Sequence, residues 1–176
     1  CLLSRGLGDV YKRQIHVHFI GIGGISMSGL ADILFSKGFT ISGSDSKESE
    51  LTRNLISQGI KVFIGQKADN ITDDIDLVVY TAAIHNDNEE LAAARAKNIP
   101  VITRAELLGE IMTNYKTAVG VSGTHGKTTT TSMLTEILVN GSLDPTVSVG
   151  GILPSIHGNL RIGHSDNFVT EACEYT

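Results

Sequence analysis

The chain has 176 residues, of which 41% are hydrophobic, and it carries a formal net charge of −5. This length suffices for one domain, or for one domain and part of another. The negative charge and the lack of a Lys/Arg cluster argue against nucleic acid and anionic membranes as main partners. Apolar runs of only a few residues predict no membrane-spanning helix. Cys1 and Cys173 form neither a disulfide framework nor a metal-ligand spacing, which predicts a protein of the reducing cytoplasm.

The N-terminal segment, residues 1–14, differs from the rest of the chain. It has no apolar signal-peptide core, and it shows no periodicity that continues into the following segment. We interpret it as adaptor or otherwise non-native sequence, with a disordered native arm as the alternative. Either way we leave it out of the fold prediction.

From Ile15 onward, strand-like and helix-like segments alternate. Strands are predicted at residues 15–20, 39–42, 60–64, 75–81, 100–102, 117–121 and 168–171. Helices are predicted between these strands, each from a set of residues with helical spacing or helix-favouring composition. These sets are Met27, Leu30, Ala31 and Leu34; Leu51, Leu55 and Ile56; residues 89–97; residues 105–112; and Thr130, Met133, Leu134, Ile137 and Leu138. Repeated βα units predict an α/β fold: a Rossmann-like, doubly wound parallel sheet in residues 15–113, followed by the start of a P-loop ATPase-type α/β domain in residues 114–176.

A glycine-rich turn joins the first predicted strand to the first predicted helix. Residues 21–29 read Gly-Ile-Gly-Gly-Ile-Ser-Met-Ser-Gly, which is nearly the fingerprint G-x-G-x-x-G, with Ser26 at the third glycine position. The second strand leads into Asp45, where a Rossmann fold places an acceptor for a ribose hydroxyl. Backbone N–H groups at such a turn bind phosphate. We therefore predict a bound phosphate group here, whose owner, NAD or another nucleotide, these residues leave open.

A second glycine-bearing loop carries the stronger phosphate-binding signal. Residues 123–129 read Gly-Thr-His-Gly-Lys-Thr-Thr, between an apolar strand and a helix that we expect to begin near Thr129. Lys127 supplies positive charge for the outer phosphates, and Thr128 places a hydroxyl where a nucleotide-bound magnesium ion would sit. Val121 stands where the standard P-loop has its first glycine, so the strand–loop–helix context carries the prediction.

The last predicted strand ends in Glu171. A carboxylate at the end of a strand beside a phosphate loop is placed to hold Mg²⁺, directly or through water. Glu174 is the alternative ligand, and either side chain could instead be merely solvated.

Taken in order, these motifs resemble the Mur ligase family. The residues that carry the resemblance are 18–24 with 27–29, 43–45, 81–84, 99–106, the loop 123–129, 143–146, 149–151 and 171–174. The resemblance covers everything from about Ile15 to Thr176. Few unrelated proteins would match so many separate motifs in this order.

The resemblance implies a UDP-sugar in the first domain and MgATP in the second. The residues implied for the UDP-sugar are Gly21, Gly23, Gly24, Ser26, Ser28, Asp45, Thr81, Ala82, Ile84, His85 and Arg104. Arg104 would help to neutralise the substrate, the alternative being an exposed arginine without a specific role. Those implied for ATP are Gly123, Thr124, His125, Gly126, Lys127, Thr128 and Thr129. Lys127, Thr128 and Glu171 would be catalytic, and Thr128 and Glu171, or alternatively Glu174, would hold the metal.

The chemistry implied by the resemblance is ATP-dependent amide formation in peptidoglycan precursor synthesis. L-Alanine would be joined to the carboxylate of UDP-N-acetylmuramate through an acyl phosphate, with release of ADP. The alternatives are a recycling ligase that attaches a tripeptide to the same UDP-sugar, an NAD-dependent oxidoreductase, and a non-catalytic nucleotide-binding module. The resemblance also implies further ATPase strands and a C-terminal domain beyond Thr176, so we expect the chain alone to be inactive.

Overall fold

A computed structural model of the chain describes residues 14–172. The predictions for residues 1–13, which include Cys1, and those for Cys173 and Glu174 therefore concern positions outside the described residues. Two compact units divide between Glu110 and Ile111, whereas the sequence placed the domain boundary after residue 113. None of the helices within residues 14–172 has the length and apolar composition needed to cross a bilayer.

The first unit is built on a five-stranded parallel sheet in the order β3-β2-β1-β4-β5. Its strands are β1 His16–Ile20, β2 Thr40–Asp45, β3 Lys61–Ile64, β4 Leu77–Tyr80 and β5 Val101–Thr103. Its helices are α1 Ile25–Ser36, α2 Glu50–Ser57, α3 Glu89–Ala96 and α4 Arg104–Thr113, the last of which crosses the division between the units. The strand order changes direction at β1, which has β2 on one side and β4 on the other. This order confirms the predicted Rossmann-like sheet and places its switch point at the end of β1.

The core of the first unit follows the predicted apolar pattern. β1 is the central strand, and its Val17, Phe19 and Ile20 are fully buried. Helix α1 contributes Leu30 and Leu34 to the buried side chains, as its periodicity predicted. Burying apolar surface contributes a free energy of about 25 cal/mol per Å², so these contacts are the main stabilisation of the sheet.

The second unit has a mixed four-stranded sheet in the order β6-β9-β7-β8. Its elements are β6 Thr117–Val121, α5 Lys127–Asn140, β7 Thr146–Leu153, β8 Gly158–Arg161 and β9 Asn167–Glu171. The pairs β6·β9 and β9·β7 are parallel, whereas β8 runs antiparallel to β7. Strands β7 and β8 were not predicted from the sequence, because β7 contains two adjacent glycines and β8 has no continuous apolar run.

Helix α5 departs from its prediction in two ways. It begins at Lys127 rather than near Thr129, and its buried side chains are Thr131 and Thr135. Met133 and Ile137, which we assigned to the apolar face, are 61% and 67% exposed. A threonine can face the sheet here because the Thr135 hydroxyl donates to the carbonyl oxygen of Thr131, 2.8 Å away, so the buried hydroxyl keeps a partner. The apolar spacing therefore identified the helix and two residues of its covered face, because Leu134 and Leu138 pack against the core cluster Val147, Val149 and Val169. It was wrong about Met133 and Ile137.

Candidate functional site

The first glycine turn is tied to the end of strand β2. The amides of Gly21 and Ile22 both donate to the carbonyl oxygen of Ser44, at 2.8 and 2.9 Å. Gly21 has a φ of +84°, a conformation that glycine adopts without a steric penalty. Helix α1 then begins with Gly24 as its N-cap, and no side chain caps it. The N-terminus of α1 is thus suited to an anionic ligand group, because first-turn amides have no acceptor within a helix.

Asp45 lies against this turn, at the position predicted from the sequence. Its Oδ2 accepts the N–H of Gly23 at 2.9 Å. A Cβ added to Gly23 would lie 2.8 Å from Asp45 Oδ2 and 2.9 Å from Thr52 Cγ2. Glycine is therefore required at position 23 by the close approach of both side chains.

Two of the four predicted residues in the loop after β4 lie against the first glycine turn. A Cβ on Gly21 would lie 3.1 Å from Thr81 Cγ2 and 3.9 Å from Ile84 Cδ1, so both side chains are adjacent to the turn. Ala82 and His85 lie exposed in the same loop. The structure thus brings together residues from the ends of β1, β2 and β4, as the switch point of a parallel sheet does.

Arg104 is buried, so the expectation of an exposed arginine is wrong, whereas its role stays a prediction. Its side chain is 9% exposed, and Nη1 donates to Ser26 Oγ at 3.1 Å. The guanidinium is therefore held beside the first turn of α1. Ser28, in contrast, is 4% exposed, and its hydroxyl donates within α1 to the carbonyl oxygen of Ile25.

The second glycine loop is exposed throughout residues 122–126. Gly123 has a φ of +149° and Gly126 a φ of +77°, and Gly126 is the N-cap of α5. Lys127 is the first residue of the helix, and its Nζ donates to the carbonyl oxygens of Gly123 at 2.6 Å and Thr124 at 3.4 Å. The lysine thus folds back over its own loop, next to the helix N-terminus that would receive phosphates.

Glu171 ends a strand that lies beside the one leading into this loop. Strands β6 and β9 are parallel neighbours, as predicted, with Val121 opposite Glu171. Glu171 Oε1 accepts the N–H of Gly150 at 2.9 Å, and a Cβ on Gly150 would lie 2.8 Å from Oε2. A Cβ on the next residue, Gly151, would lie 3.4 Å from Thr128 Cγ2. Two adjacent glycines of β7 therefore lie against the two predicted metal ligands.

These oxygen donors fit a magnesium ion that also binds nucleotide phosphates. Mg²⁺ prefers carboxylate, hydroxyl and water oxygens and is commonly held by one or two protein ligands plus substrate phosphates. Within residues 14–172 no three His, Cys, Asp or Glu side chains group to form a complete metal site. Thr128 and Glu171 would therefore need phosphate or water oxygens to complete the coordination.

The family model described as "Mur ligase family, catalytic domain" matches residues 16–116 of this chain. This chain belongs to the Mur ligase family. A UDP-N-acetylmuramate–L-alanine ligase of Agathobacter rectalis is 69% identical over 94% of this chain, and the match covers 36% of that relative. The corresponding ligase of Clostridium perfringens is 55% identical over 96% of this chain and is matched over 36% of its length. The chain thus spans about a third of the length of the curated relatives it matches.

Solved structures of Mur ligases share the fold of this chain. The UDP-N-acetylmuramate–alanine ligase of Thermotoga maritima has a TM-score of 0.83 and 39% identity, with 90% of this chain and 37% of that chain covered. The UDP-N-acetylmuramate:L-alanyl-gamma-D-glutamyl-meso-diaminopimelate ligase from Neisseria meningitides also has a TM-score of 0.83, with 32% identity over 90% of this chain and 52% of that one. Membership in this ligase family decides against an NAD-dependent oxidoreductase.

Some residues of this Mur ligase chain that contact the two sites were not predicted from the sequence. These residues are Ser44, Thr52, Glu90 and Gly150. Ser44 and Gly150 lay within recognised motifs but had no role assigned to them, and Thr52 is detectable only as a helix-capping residue paired with Ser49. Nothing in the local sequence marks Glu90 as buried, because glutamate in the first turn of a helix is normally solvated.

Proposed function

We propose that this chain is part of an ATP-dependent, ADP-forming ligase that joins L-alanine to the carboxylate of UDP-N-acetylmuramate. This reaction belongs to peptidoglycan precursor synthesis, in the cytoplasm. The observation that carries the proposal is the 69% identity, over 94% of this chain, to a relative named UDP-N-acetylmuramate–L-alanine ligase. The two glycine turns agree with it, since one is needed for each nucleotide.

The first unit is proposed to bind the UDP-sugar. Its diphosphate would lie at the N-terminus of α1, near Gly23 and Gly24, where the helix dipole and backbone amides favour negative charge. Ser26 and the buried Arg104 would add a hydroxyl and a positive charge beside it. Asp45 would accept a ribose hydroxyl. Gly21, Ser28 and the residues Thr81, Ala82, Ile84 and His85 complete the proposed set.

The second unit is proposed to bind MgATP through residues 123–129 and Glu171. A carboxylate is a poor acylating agent, so the muramyl carboxylate oxygen would attack the γ-phosphorus and displace ADP. The amine of L-alanine would then attack the acyl carbon of the resulting acyl phosphate, lose a proton and displace inorganic phosphate. The ammonium of Lys127 would exchange its loop carbonyls for phosphate oxygens and neutralise the transferring phosphoryl group. Magnesium held by Thr128 and Glu171 would supply further charge compensation.

The recycling ligase that adds a tripeptide is the competing activity. Structural similarity does not separate the two, because both solved ligases have a TM-score of 0.83. Sequence identity favours the L-alanine ligase, at 39% against 32% for the solved structures.

Calorimetric titration of the 176-residue chain with UDP-N-acetylmuramate and, separately, with NAD tests the first half of the proposal. We expect binding of the UDP-sugar only. The second half requires the full-length ligase and a coupled ADP assay, in which L-alanine should support turnover and the tripeptide should not. Tripeptide-dependent ADP release without an L-alanine response would assign the recycling activity instead. The 176-residue chain alone should release no ADP with L-alanine, since it matches only 36% of its relative.

A further inference from the structure

A fully buried carboxylate lies beneath the first glycine turn. Glu90, in the first turn of α3, is 0% exposed. Its Oε2 accepts the hydroxyl of Ser44 at 2.5 Å, and its Oε1 accepts the amide N–H of Asn70 at 2.6 Å. Burying a carboxylate is costly unless each oxygen is hydrogen-bonded, and here each one is. A buried charged group is weak evidence for net stability, and its best-attested use is to specify one conformation.

Ser44 links this carboxylate directly to the turn. Its hydroxyl donates to Glu90, while its carbonyl oxygen accepts the amides of both Gly21 and Ile22. Ser44 is itself 0% exposed, so water does not compete for either contact. The next residue, Asp45, accepts the N–H of Gly23. The Glu90–Ser44 bond therefore holds the strand end to which three successive turn residues are attached.

The far side of the carboxylate is also held in place. The Asn70 amide that donates to Glu90 donates as well to the carbonyl oxygen of Gly65, at 2.9 Å. His18 Nε2 lies 3.8 Å from Glu90 Oε1, and His18 Nδ1 contacts Ser42 Oγ at 2.8 Å. Glu90 thus has hydrogen-bond partners on β2 and in the short 3₁₀ turn Ala68–Asn70, with His18 of β1 packed beside it. A buried side chain held at both oxygens has little freedom to move, which suits an anchor.

We propose that Glu90 is a positioning residue for the diphosphate-binding turn, acting through Ser44. The ligand named here rests on the proposed function, whereas the coupling between Glu90 and the turn does not. Glu90 keeps the Ser44 peptide oriented so that Gly21 and Ile22 turn their amides inward, which leaves the turn shaped for the diphosphate before ligand arrives. Pre-ordering of this kind improves affinity because less conformational entropy is lost on binding.

The test compares Glu90→Gln with Glu89→Gln in the 176-residue chain. Glutamine keeps the shape of the side chain but replaces one oxygen with an NH₂ group, which must face the donor of Ser44 or of Asn70. Glu89 is exposed in the same helix turn, so its variant repeats the charge change without the contacts. Amide hydrogen exchange at Gly21 and Ile22, followed by NMR, should accelerate about tenfold in Glu90→Gln only. Affinity for UDP-N-acetylmuramate should fall by a similar factor.

A variant with a general loss of stability separates positioning from packing. Ile75→Val removes a methylene group from the core cluster near α3 without touching Ser44. Measured where its thermal midpoint matches that of Glu90→Gln, it should leave the Gly21 and Ile22 exchange rates and the UDP-sugar affinity near wild type. Equal effects of the two variants would overturn the proposal.

Two further outcomes are distinguishable. If Glu90→Gln does not fold, Ser44→Ala gives the decisive measurement, because it removes only the hydroxyl that donates to Glu90. Unchanged exchange at Gly21 and Ile22 in Ser44→Ala would then refute the coupling. If the wild-type chain binds no UDP-N-acetylmuramate but Glu90→Gln still accelerates exchange at the turn, the ligand assignment fails and the positioning role stands.

Discussion

The two glycine turns are both proposed to bind nucleotide phosphates, but they differ in how far buried side chains hold them in place. In the first, the amides of Gly21 and Ile22 are bonded to the buried Ser44, whose hydroxyl is bonded to the buried Glu90. In the second, residues 122–126 are exposed, and Lys127 Nζ donates to the carbonyl oxygens of Gly123 and Thr124 in its own loop. A braced turn is ordered before ligand binds, whereas an exposed loop can rearrange around its ligand. We therefore expect the first turn to be ordered before ligand binds and the second to rearrange around its ligand.

The two sites nevertheless share one type of contact. At each, a carboxylate at a strand end accepts the N–H of a glycine at 2.9 Å: Asp45 with Gly23 of the first turn, and Glu171 with Gly150 of β7, beside the second turn. In each, a Cβ on that glycine would lie 2.8 Å from the carboxylate. The two sites therefore differ in the residues that surround this contact, and variants at each site can test that difference.

The largest effect is expected from Lys127→Ala in the full-length ligase. Loss of the ammonium leaves the transferring phosphoryl charge uncompensated, so turnover should fall on the order of a thousandfold. UDP-sugar affinity should stay near wild type, since the first turn has its own support. A coupled ADP assay and calorimetry measure the two quantities. Lys116→Ala is the matched control, because Lys116 is exposed just before β6. Near-wild-type phosphate release in Lys127→Ala would remove the lysine from the proposed mechanism.

A smaller loss, about a hundredfold in turnover, is expected from Glu171→Gln. The amide keeps the hydrogen bond from Gly150 possible but weakens magnesium binding, so the apparent magnesium requirement should rise while UDP-sugar affinity holds. Glu174→Gln, assayed in parallel over a magnesium titration, is the competing variant. A severe effect of Glu174→Gln combined with a mild effect of Glu171→Gln would move the metal ligand three residues along the chain.

Gly23→Val tests the first turn and should weaken UDP-sugar binding about tenfold or more. The new side chain would displace Asp45 and Thr52 and occupy the space beside the turn amides. Gly109→Ala is the control, since a Cβ at that exposed position of α4 meets no atom within 4 Å. Circular dichroism must show both variants folded. A folded Gly23→Val chain with unchanged affinity would place the diphosphate elsewhere.

The smallest effect concerns stability of the first unit at neutral pH. Desolvation raises the pKa of Asp32 to about 6, against a partly offsetting hydrogen bond from Gln58, and its Oδ1 is buried without a hydrogen-bond partner. The native state therefore binds this proton more tightly than the unfolded chain, whose pKa is near 3.8. The stabilisation that this tighter proton binding gives to the native state is fully present below about pH 4 and is lost as the pH rises through about 6. Asp32→Asn should stabilise the unit by about 1 kcal/mol at pH 7, after allowance for solvent screening.

Urea unfolding at pH 4 and pH 7 measures this difference, with the exposed Asp87→Asn as control. Equal pH dependence in wild type and Asp32→Asn would contradict the assignment. The second unit should respond in the opposite direction. There the backbone N–H of His164 and the guanidinium of Arg161 lower the pKa of Asp144 to about 2, so its contribution is lost only as the pH falls from about 4 towards 2.

Local sequence alone determined the order of βα units in the first unit and the presence of both glycine turns. Gly21 and Gly126 have positive φ, a feature that depends on neighbours within a few residues, whereas α5 begins at Lys127, two residues before its predicted start. The fold class followed from the same alternation, since parallel strands need helical crossovers. The roles proposed for individual site residues remain predictions.

Only the tertiary structure decided which side chains are buried against those turns. Glu90 and Ser44 are 46 residues apart, Arg104 and Ser26 are 78 apart, and Glu171 and Gly150 are 21 apart. Strand order brings such pairs together, and residue spacing does not encode that order. The covered face of α5 was decided in the same way: Thr131 and Thr135 are buried, Leu134 and Leu138 pack against the core cluster of the second unit, and Met133 and Ile137 are exposed. Periodicity reports which residues share a helix face, whereas the surrounding sheet determines which face is covered.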